Sequence, residues 1–148
     1  MDIIIDTREQ KPLKFTGHKT TRRKLDEGDY NTIELEPYIV IERKSLQDLY
    51  GSIIQGHERF KAEIMRSKAK NKEFYIFLEG TIKKFVEKEW SLRYLSTKPE
   101  ILSKILKTMQ EKYEITIIEC NTRDEMSKKI IELIEKIEGE KNGYKQST

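Results

Sequence analysis

Three residues in the first third of the chain have the types and spacing that hydrolysis of a phosphate ester requires. Asp29 follows a glycine, and thirteen residues later Glu42 begins a Glu-x-Lys pair in a run rich in β-branched residues. Because side chains alternate between the two faces of a strand, Glu42 and Lys44 are expected on one face and Arg43 on the other. Asp29, on the preceding arm of a hairpin, would then supply a second carboxylate beside Glu42.

Two carboxylates and an ammonium group suit catalysis with a bound Mg²⁺ or Mn²⁺ ion. These hard cations take oxygen ligands, commonly one or two carboxylates together with waters and substrate phosphates. Such an ion polarises a phosphoryl oxygen and lowers the pKa of a coordinated water, while a lysine stabilises the developing negative charge. The spacing by itself is equally compatible with a Gly-Asp turn followed by a solvated strand pair.

Two further motifs make the pattern more specific. A strand of three isoleucines ends in Asp6-Thr7-Arg8-Glu9, and Arg59-Phe60 lies on a predicted helix. With Gly28-Asp29 and Glu42-Arg43-Lys44 they follow the order found in the XPF-type nuclease domain of flap and repair endonucleases, which the first half of the chain resembles. The resemblance implies a single α/β domain with a restriction-endonuclease-like core, in which helices flank a central mixed β-sheet. It also implies a metal-dependent DNA endonuclease acting on branched or flapped duplexes.

The resemblance implies a role for each matching residue of the acidic cluster. Asp29 and Glu42 are the expected metal ligands, Asp6 completes the cluster directly or through water, and Lys44 is the catalytic lysine. Asp6 has a plainer alternative, because a carboxylate after a strand often caps the following turn. Asp48 would complete the motif, but its position favours a helix-capping role in the first turn of a helix.

The arginines of these motifs are the expected contacts to substrate. Arg8 and Glu9 would line the site, with Arg8 toward a phosphate, although the two could also form a solvated pair. Arg43, on the face opposite Lys44, is expected to pair with an acid or to contact the DNA backbone. Arg59 would hold the acidic cluster together or touch a phosphate.

Charge distribution is more informative than the net charge of +3. One basic run precedes the Gly-Asp turn and includes Arg22, Arg23 and Lys24, and a second extends from Lys61 to Lys72. Two basic runs that flank a candidate catalytic motif indicate binding to a DNA backbone. The alternative for either run is a solvated surface.

The remaining pattern predicts how these residues are positioned. Strands are expected near 2–6, 19–24, 30–35, 38–44, 73–79 and 114–120. Helices are expected over 45–54, 57–70, from Pro99 onward, and from a capping box at Thr122 to Gly139. Residues 1–139 would form the nuclease domain and residues 140–148 a flexible polar tail.

Partners and location follow from what the sequence lacks. It has one cysteine, Cys120, and no apolar stretch long enough for a membrane span, so a cytoplasmic, nucleoid or nuclear location without membrane contact is expected. It also lacks the glycine-rich hairpins of a helix-hairpin-helix module, so a stand-alone nuclease domain is expected. Ile131 and Ile134 form a second apolar edge on the last helix, which favours a homodimer, and a partner protein is the other possibility for substrate selection.

Two other functions remain compatible with these residues. The same scaffold could support a restriction-type or junction-resolving nuclease. Alternatively, the chain could be a DNA-binding or scaffold subunit without catalysis, although such relatives typically lack the acidic residues that are present here.

Overall fold

The computed structural model describes residues 1–54, 58–84 and 99–147. Its strands are β1 (Asp2–Ile5), β2 (Lys19–Arg22), β3 (Tyr30–Asn31), β4 (Ile39–Ser45), β5 (Glu73–Glu79) and β6 (Ile115–Cys120). Its helices are α1 (Leu46–Ile54), α2 (Glu58–Ala69), α3 (Pro99–Tyr113) and α4 (Arg123–Ser147). The segment around Trp90, where the sequence suggests a short helix and a loop, lies outside the described residues.

The strands form one mixed six-stranded sheet in the order β2-β1-β3-β4-β5-β6. β1 pairs in parallel with β2, and β4, β5 and β6 form a parallel set. The short β3 joins the two parts, because it pairs antiparallel with both β1 and β4. The predicted single domain with a central mixed sheet flanked by helices is confirmed.

Each face of the sheet packs against its own set of helices. On one face Ile39, Ile41 and Phe77 pack with Met126 and Ile130 of α4. On the other face, the alternate strand residues pack with apolar residues of α1, α2 and α3: Val40, Phe74, Ile76, Leu78, Leu49, Ile64 and Leu106. Because the parallel strands are covered on both faces, they read in the sequence as nearly continuous apolar runs.

The expected strand over 30–35 is shorter than predicted, because β3 ends at Asn31. The Asn31 side chain donates to the Ile39 carbonyl at 2.9 Å and accepts from the Thr32 amide at 2.9 Å. The Thr32 hydroxyl accepts from the Leu35 amide at 3.2 Å, and the Thr32 carbonyl accepts from the Glu36 amide at 2.9 Å. These local bonds turn the chain, as polar side chains that bond to nearby backbone commonly do.

The prediction that Gly139 ends the last helix is wrong, because α4 continues to Ser147. Gly139 does not adopt the positive φ with which glycine commonly ends helices. Its flank is rich in residues that favour helices, and a glycine inside a helix costs only about 1 kcal/mol. The flexibility of residues 140–148 stays a prediction.

The apolar edge expected on α4 is largely part of the core. Ile134 is fully buried, and Ile131 is partly buried against the same cluster. The homodimer therefore stays a prediction, with less exposed apolar surface to support it than the helical pattern indicates. No helix among the described residues is long and apolar enough to span a membrane.

Candidate active site

A tight turn at Gly28 places Asp29 against the middle of β4. Gly28 has a φ of +79°, and a Cβ atom there would lie 2.7 Å from the Ile41 carbonyl oxygen. Only glycine fits this approach without strain. The Asp29 amide donates to the Ile41 carbonyl at 2.8 Å, and the Asp29 Oδ2 accepts from the Arg43 amide at 2.8 Å. Asp29 is therefore fixed beside the strand that carries Glu42.

Strand alternation separates the Glu-Arg-Lys triplet as the sequence predicts. Val40 belongs to the core under α1, α2 and α3, whereas Ile41 belongs to the core under α4. Glu42 and Lys44 continue the alternation of Val40 and therefore face α2. In agreement, the Lys44 ammonium lies 5.1 Å from the centroid of the Phe60 ring of α2.

A cavity of about 480 Å³ lies between the Gly28 turn, β4 and α2. Its lining combines acidic and basic side chains: Arg8, Asp26, Gly28, Asp29, Glu42, Arg59, Ala62, Glu63 and Arg66. A larger cavity of about 950 Å³ lies where β1, β4 and β5 begin, lined by Asp2, Ile39 and Glu73 among others. We place the candidate site in the smaller cavity, because the predicted ligands Asp29 and Glu42 meet there.

The carboxylates of the smaller cavity destabilise one another's charge. Burial raises the pKa of Asp29 to about 7, and the charges of Glu9 and Glu63 add to this against the opposing hydrogen bond from the Arg43 amide. Burial is also the main reason that the pKa of Glu42 lies well above its usual value, and the charges of Asp29 and Glu63 raise it further. Lys44 opposes the rise at Glu42. A cation placed between the carboxylates would relieve this repulsion.

The donor set of the cavity fits a hard divalent cation. Asp29 and Glu42 offer carboxylate oxygens, the ligand type that Mg²⁺ and Mn²⁺ prefer. Among the described residues, no three Asp, Glu, His or Cys side chains form a group that could hold a metal ion alone. Mg²⁺ does not need such a cage, because it keeps several waters and uses one or two carboxylates with substrate phosphates.

Glu63 is a member of the site that the sequence motifs do not reveal. It lies on α2 and shares a side-chain hydrogen bond with Glu42. Its Oε1 also accepts from the Gly28 amide at 3.3 Å. Its position four residues after Arg59 places both on one helix face, and this spacing is the signal that identifies it.

Asp6 supports the site from the end of β1 without lining the cavity. Its Oδ1 accepts from the Leu25 amide at 2.8 Å, and its Oδ2 accepts from the Arg8 amide at 3.1 Å and the Arg8 Nε at 2.7 Å. Burial alone would raise the pKa of Asp6, but these hydrogen bonds outweigh it and hold the pKa below its usual value. The structure thus places Asp6 as the cap of a turn that positions Arg8, and the Asp6 amide donates to the Asp29 carbonyl at 2.9 Å, so the end of β1 lies next to the Asp29 turn. Metal binding by Asp6, directly or through water, stays a prediction. Arg8 does line the cavity.

Glu9 and Arg43 lie on the opposite face of the sheet. The Arg43 Nε and Nη2 donate to the two Glu9 carboxylate oxygens at 2.8 Å each, and the Arg43 Nη1 donates to Glu79 at 2.8 Å. The Tyr30 hydroxyl donates to Glu9 at 2.6 Å. Burial would raise the pKa of Glu9, but its bonds from Arg43 and Tyr30 hold the pKa below its usual value. The structure therefore places neither residue in the cavity, and Arg43 pairs with acids instead of facing a DNA backbone.

Comparison with known families agrees with this arrangement. A model of the ERCC4 domain matches residues 5–133. The chain belongs to the ERCC4 domain family. Its single domain has the fold of the XPF nuclease domain, the restriction-endonuclease-like fold that the motifs indicate.

Solved structures with the same fold include XPF from Aeropyrum pernix. That structure has a TM-score of 0.70 and 20% sequence identity, and the match covers 91% of this chain and 60% of that chain. A second structure, XPF from Aeropyrum pernix in complex with DNA, has a TM-score of 0.68 and 19% identity, with 94% and 65% of the chains covered. This ERCC4 domain therefore spans less than two thirds of the length of these relatives. Comparison with curated proteins finds no significant match.

The other predicted residues of this ERCC4 domain lie outside the cavity lining. Arg22 donates to the Thr7 and Glu9 carbonyls at 3.1 and 2.7 Å, Arg23 pairs with Glu36, and Lys24 is exposed. DNA binding by this segment stays a prediction.

Asp48 has the capping position expected for it. It lies in the first turn of α1, where its amide donates to the Ser45 hydroxyl at 3.0 Å. Asp48 is exposed and is not part of the cavity lining, so the structure supports its helix-start role.

Proposed function

We propose that this chain is a divalent-metal-dependent endodeoxyribonuclease that hydrolyses phosphodiester bonds at branched or flapped DNA. The observation that carries the proposal is the meeting of Asp29 and Glu42 in one cavity, with Lys44 on the same face of β4 and arginines at the cavity rim. Membership of the ERCC4 domain family supports it, and the relative described as an XPF in complex with DNA supports DNA as the substrate.

The two acids that line the cavity, and Lys44 beside them outside the lining, have distinct roles in this proposal. Asp29 and Glu42 would hold Mg²⁺ or Mn²⁺, which when bound polarises the scissile phosphate and lowers the pKa of a water. The hydrogen bond from the Arg43 amide fixes the orientation of the Asp29 carboxylate. Lys44 orients the attacking water and stabilises the negative charge that develops on the phosphoryl oxygens. Its contact with the Phe60 ring keeps the ammonium beside the acids.

Substrate selection and assembly extend the proposal. We assign the preference for branched DNA either to the basic surfaces of this chain or to a partner. That partner could be a second copy of this chain or a different protein. The place of action would be the cytoplasm, nucleoid or nucleus, wherever DNA is processed.

The direct test is cleavage of labelled flap, fork, four-way junction and linear duplex DNA, with Mg²⁺, with Mn²⁺ and in EDTA. We expect cleavage of flap and fork with either metal and none in EDTA. Lys44→Ala should lower the cleavage rate by about 10²–10³-fold, the cost of removing one preorganised charge-stabilising group. Lys107→Gln, which removes an exposed lysine of α3 outside the cavity lining and outside the two basic runs, is the matched control and should cleave at the parent rate.

The outcomes separate the alternatives. Equal cleavage of all four DNAs would favour a restriction-type enzyme, and selective cleavage of the four-way junction would favour a junction-resolving one. DNA binding without cleavage under any metal would favour the scaffold subunit. Full activity of Lys44→Ala would refute the assigned role of this lysine.

A further inference from the structure

The arginines of the described residues fall into two groups by their partners. Most donate to a carboxylate or a backbone carbonyl of the protein, and these are Arg8, Arg22, Arg23, Arg43 and Arg123. The side chains of Arg59 and Arg66 form no hydrogen bond or ion pair with any other described residue. These two unpaired guanidinium groups both line the candidate active site.

Arg59 and Arg66 occupy one face of α2. They lie seven residues apart, close to two helical turns, so their side chains leave the helix in nearly the same direction. Glu63 lies between them but is turned to Glu42 and to the Gly28 amide, which its Oε1 contacts at 3.3 Å. No ion pair joins Glu63 to either arginine in the described part of the chain, although the spacing would allow one.

Unpaired guanidinium groups beside a cavity that takes a phosphate are suited to bind further phosphates. Arginine presents a planar fork of N–H donors that matches a phosphate in a bidentate geometry. The two positions are about 10.5 Å apart along the helix axis, at 1.5 Å per residue. The carboxylate of Glu63 between them disfavours an anion at the midpoint, so each guanidinium would bind a phosphate on its own side.

We propose that Arg59 and Arg66 form a phosphate-binding rim along α2 that holds two phosphates of the cleaved DNA strand, one on each side of the scissile phosphate. The rim positions the DNA strand across the acidic centre. The residues of β4 and the Gly28 turn carry out the reaction. The inference rests on the proposed nuclease function and adds to it a binding register for the strand.

The test is the salt dependence of DNA binding, because each phosphate contact contributes about 0.9 to the slope of log K against log salt for duplex DNA. Fluorescence anisotropy of a labelled flap DNA is measured in EDTA, so that cleavage does not interfere, between about 50 and 200 mM salt. The variants are Arg59→Gln/Arg66→Gln and the control Lys104→Gln/Lys107→Gln. The control removes the same charge from exposed positions of α3, outside the cavity lining and outside the two basic runs.

We expect the Arg59→Gln/Arg66→Gln variant to lower the slope by about 1.8, whereas the lysine-to-glutamine control should leave the slope nearly unchanged. An Arg59→Lys/Arg66→Lys variant should keep most of the slope, because both charges remain. An equal fall for both neutral pairs would show that only net charge matters and would overturn the rim. An unchanged slope in the arginine pair would overturn it as well. A parent protein that binds DNA with the expected slope but never cleaves with Mg²⁺ would refute only the nuclease function.

Discussion

Replacing Asp29 with Asn should stabilise the metal-free protein at neutral and alkaline pH. The substitution keeps an oxygen that can accept from the Arg43 amide, a bond of 2.8 Å to the Asp29 carboxylate. It removes a negative charge that burial and the carboxylates around it disfavour. The gain in stability should therefore come from the charge alone.

The size and pH range of the effect follow from the pKa of Asp29, about 7 in the folded protein against 3.8 for an ordinary Asp carboxyl. Well below pH 3.8 the carboxyl is protonated in both states and has no effect on stability. As the pH rises to about 7, the unfolded chain loses its proton first, so folding is disfavoured by about 1.4 kcal/mol per pH unit. The ionised Asp29 could destabilise the folded protein by at most about 4 kcal/mol. Because solvent reaches the cavity and screens the charge, we expect a destabilisation of about 1–2 kcal/mol.

Urea denaturation in EDTA at pH 4.5, 6 and 8 measures the effect. The free energies of unfolding of parent and Asp29→Asn should be closest at pH 4.5 and furthest apart at pH 8, with Asn the more stable. Mg²⁺ at pH 8 should stabilise the parent more than the variant, because a bound cation favours the ionised carboxylates. The reasoning fails if Asp29→Asn is destabilised at pH 8, or if its advantage is the same at pH 4.5 and pH 8.

Three further substitutions test how the site is positioned. Gly28→Ala should lower the free energy of unfolding by about 2–3 kcal/mol, because alanine would need a φ of +79° and its Cβ would meet the Ile41 carbonyl. Urea denaturation measures this, and a neutral effect would show that the turn can relax. Arg43→Gln and Glu9→Gln should each cost about 2 kcal/mol, and the double variant should cost at least about 1 kcal/mol less than their sum. A double-mutant cycle with fully additive values would contradict the pairing at 2.8 Å.

The features that the sequence predicts best are those set by strand periodicity. The apolar runs of β1, β4 and β5 define a sheet covered on both faces, and the period of two assigns Glu42 and Lys44 to one face and Arg43 to the other. The capping box at Thr122 is also predicted correctly from the sequence. Its hydroxyl accepts from the Glu125 amide at 3.0 Å.

The features that the sequence does not give depend on contacts between distant segments. Asp6 has the right type and order for a site residue, but the sequence does not show that the Leu25 amide, nineteen residues away, donates to one of its oxygens. Glu9 reads as a site residue until Arg43, thirty-four residues away, is seen to hold it on the other face. The spacing from Arg59 predicts that Glu63 shares a helix face with that arginine. The packing of Phe60 and Ile64 sets the rotation of the helix about its axis, so the fold is needed to show that this face meets the acids.

The backbone and side chain of Arg43 serve opposite faces of the same sheet, since the amide holds Asp29 while the guanidinium holds Glu9 and Glu79. A shift of β4 by a single residue would bring Arg43 into the cavity and turn Glu42 and Lys44 into the apolar layer under α4. The register of β4 therefore determines both the packing of the strand and the position of the catalytic residues. In homologues, a substitution at the site could abolish catalysis and leave the fold intact. An insertion or deletion within β4 would disrupt catalysis and the fold together.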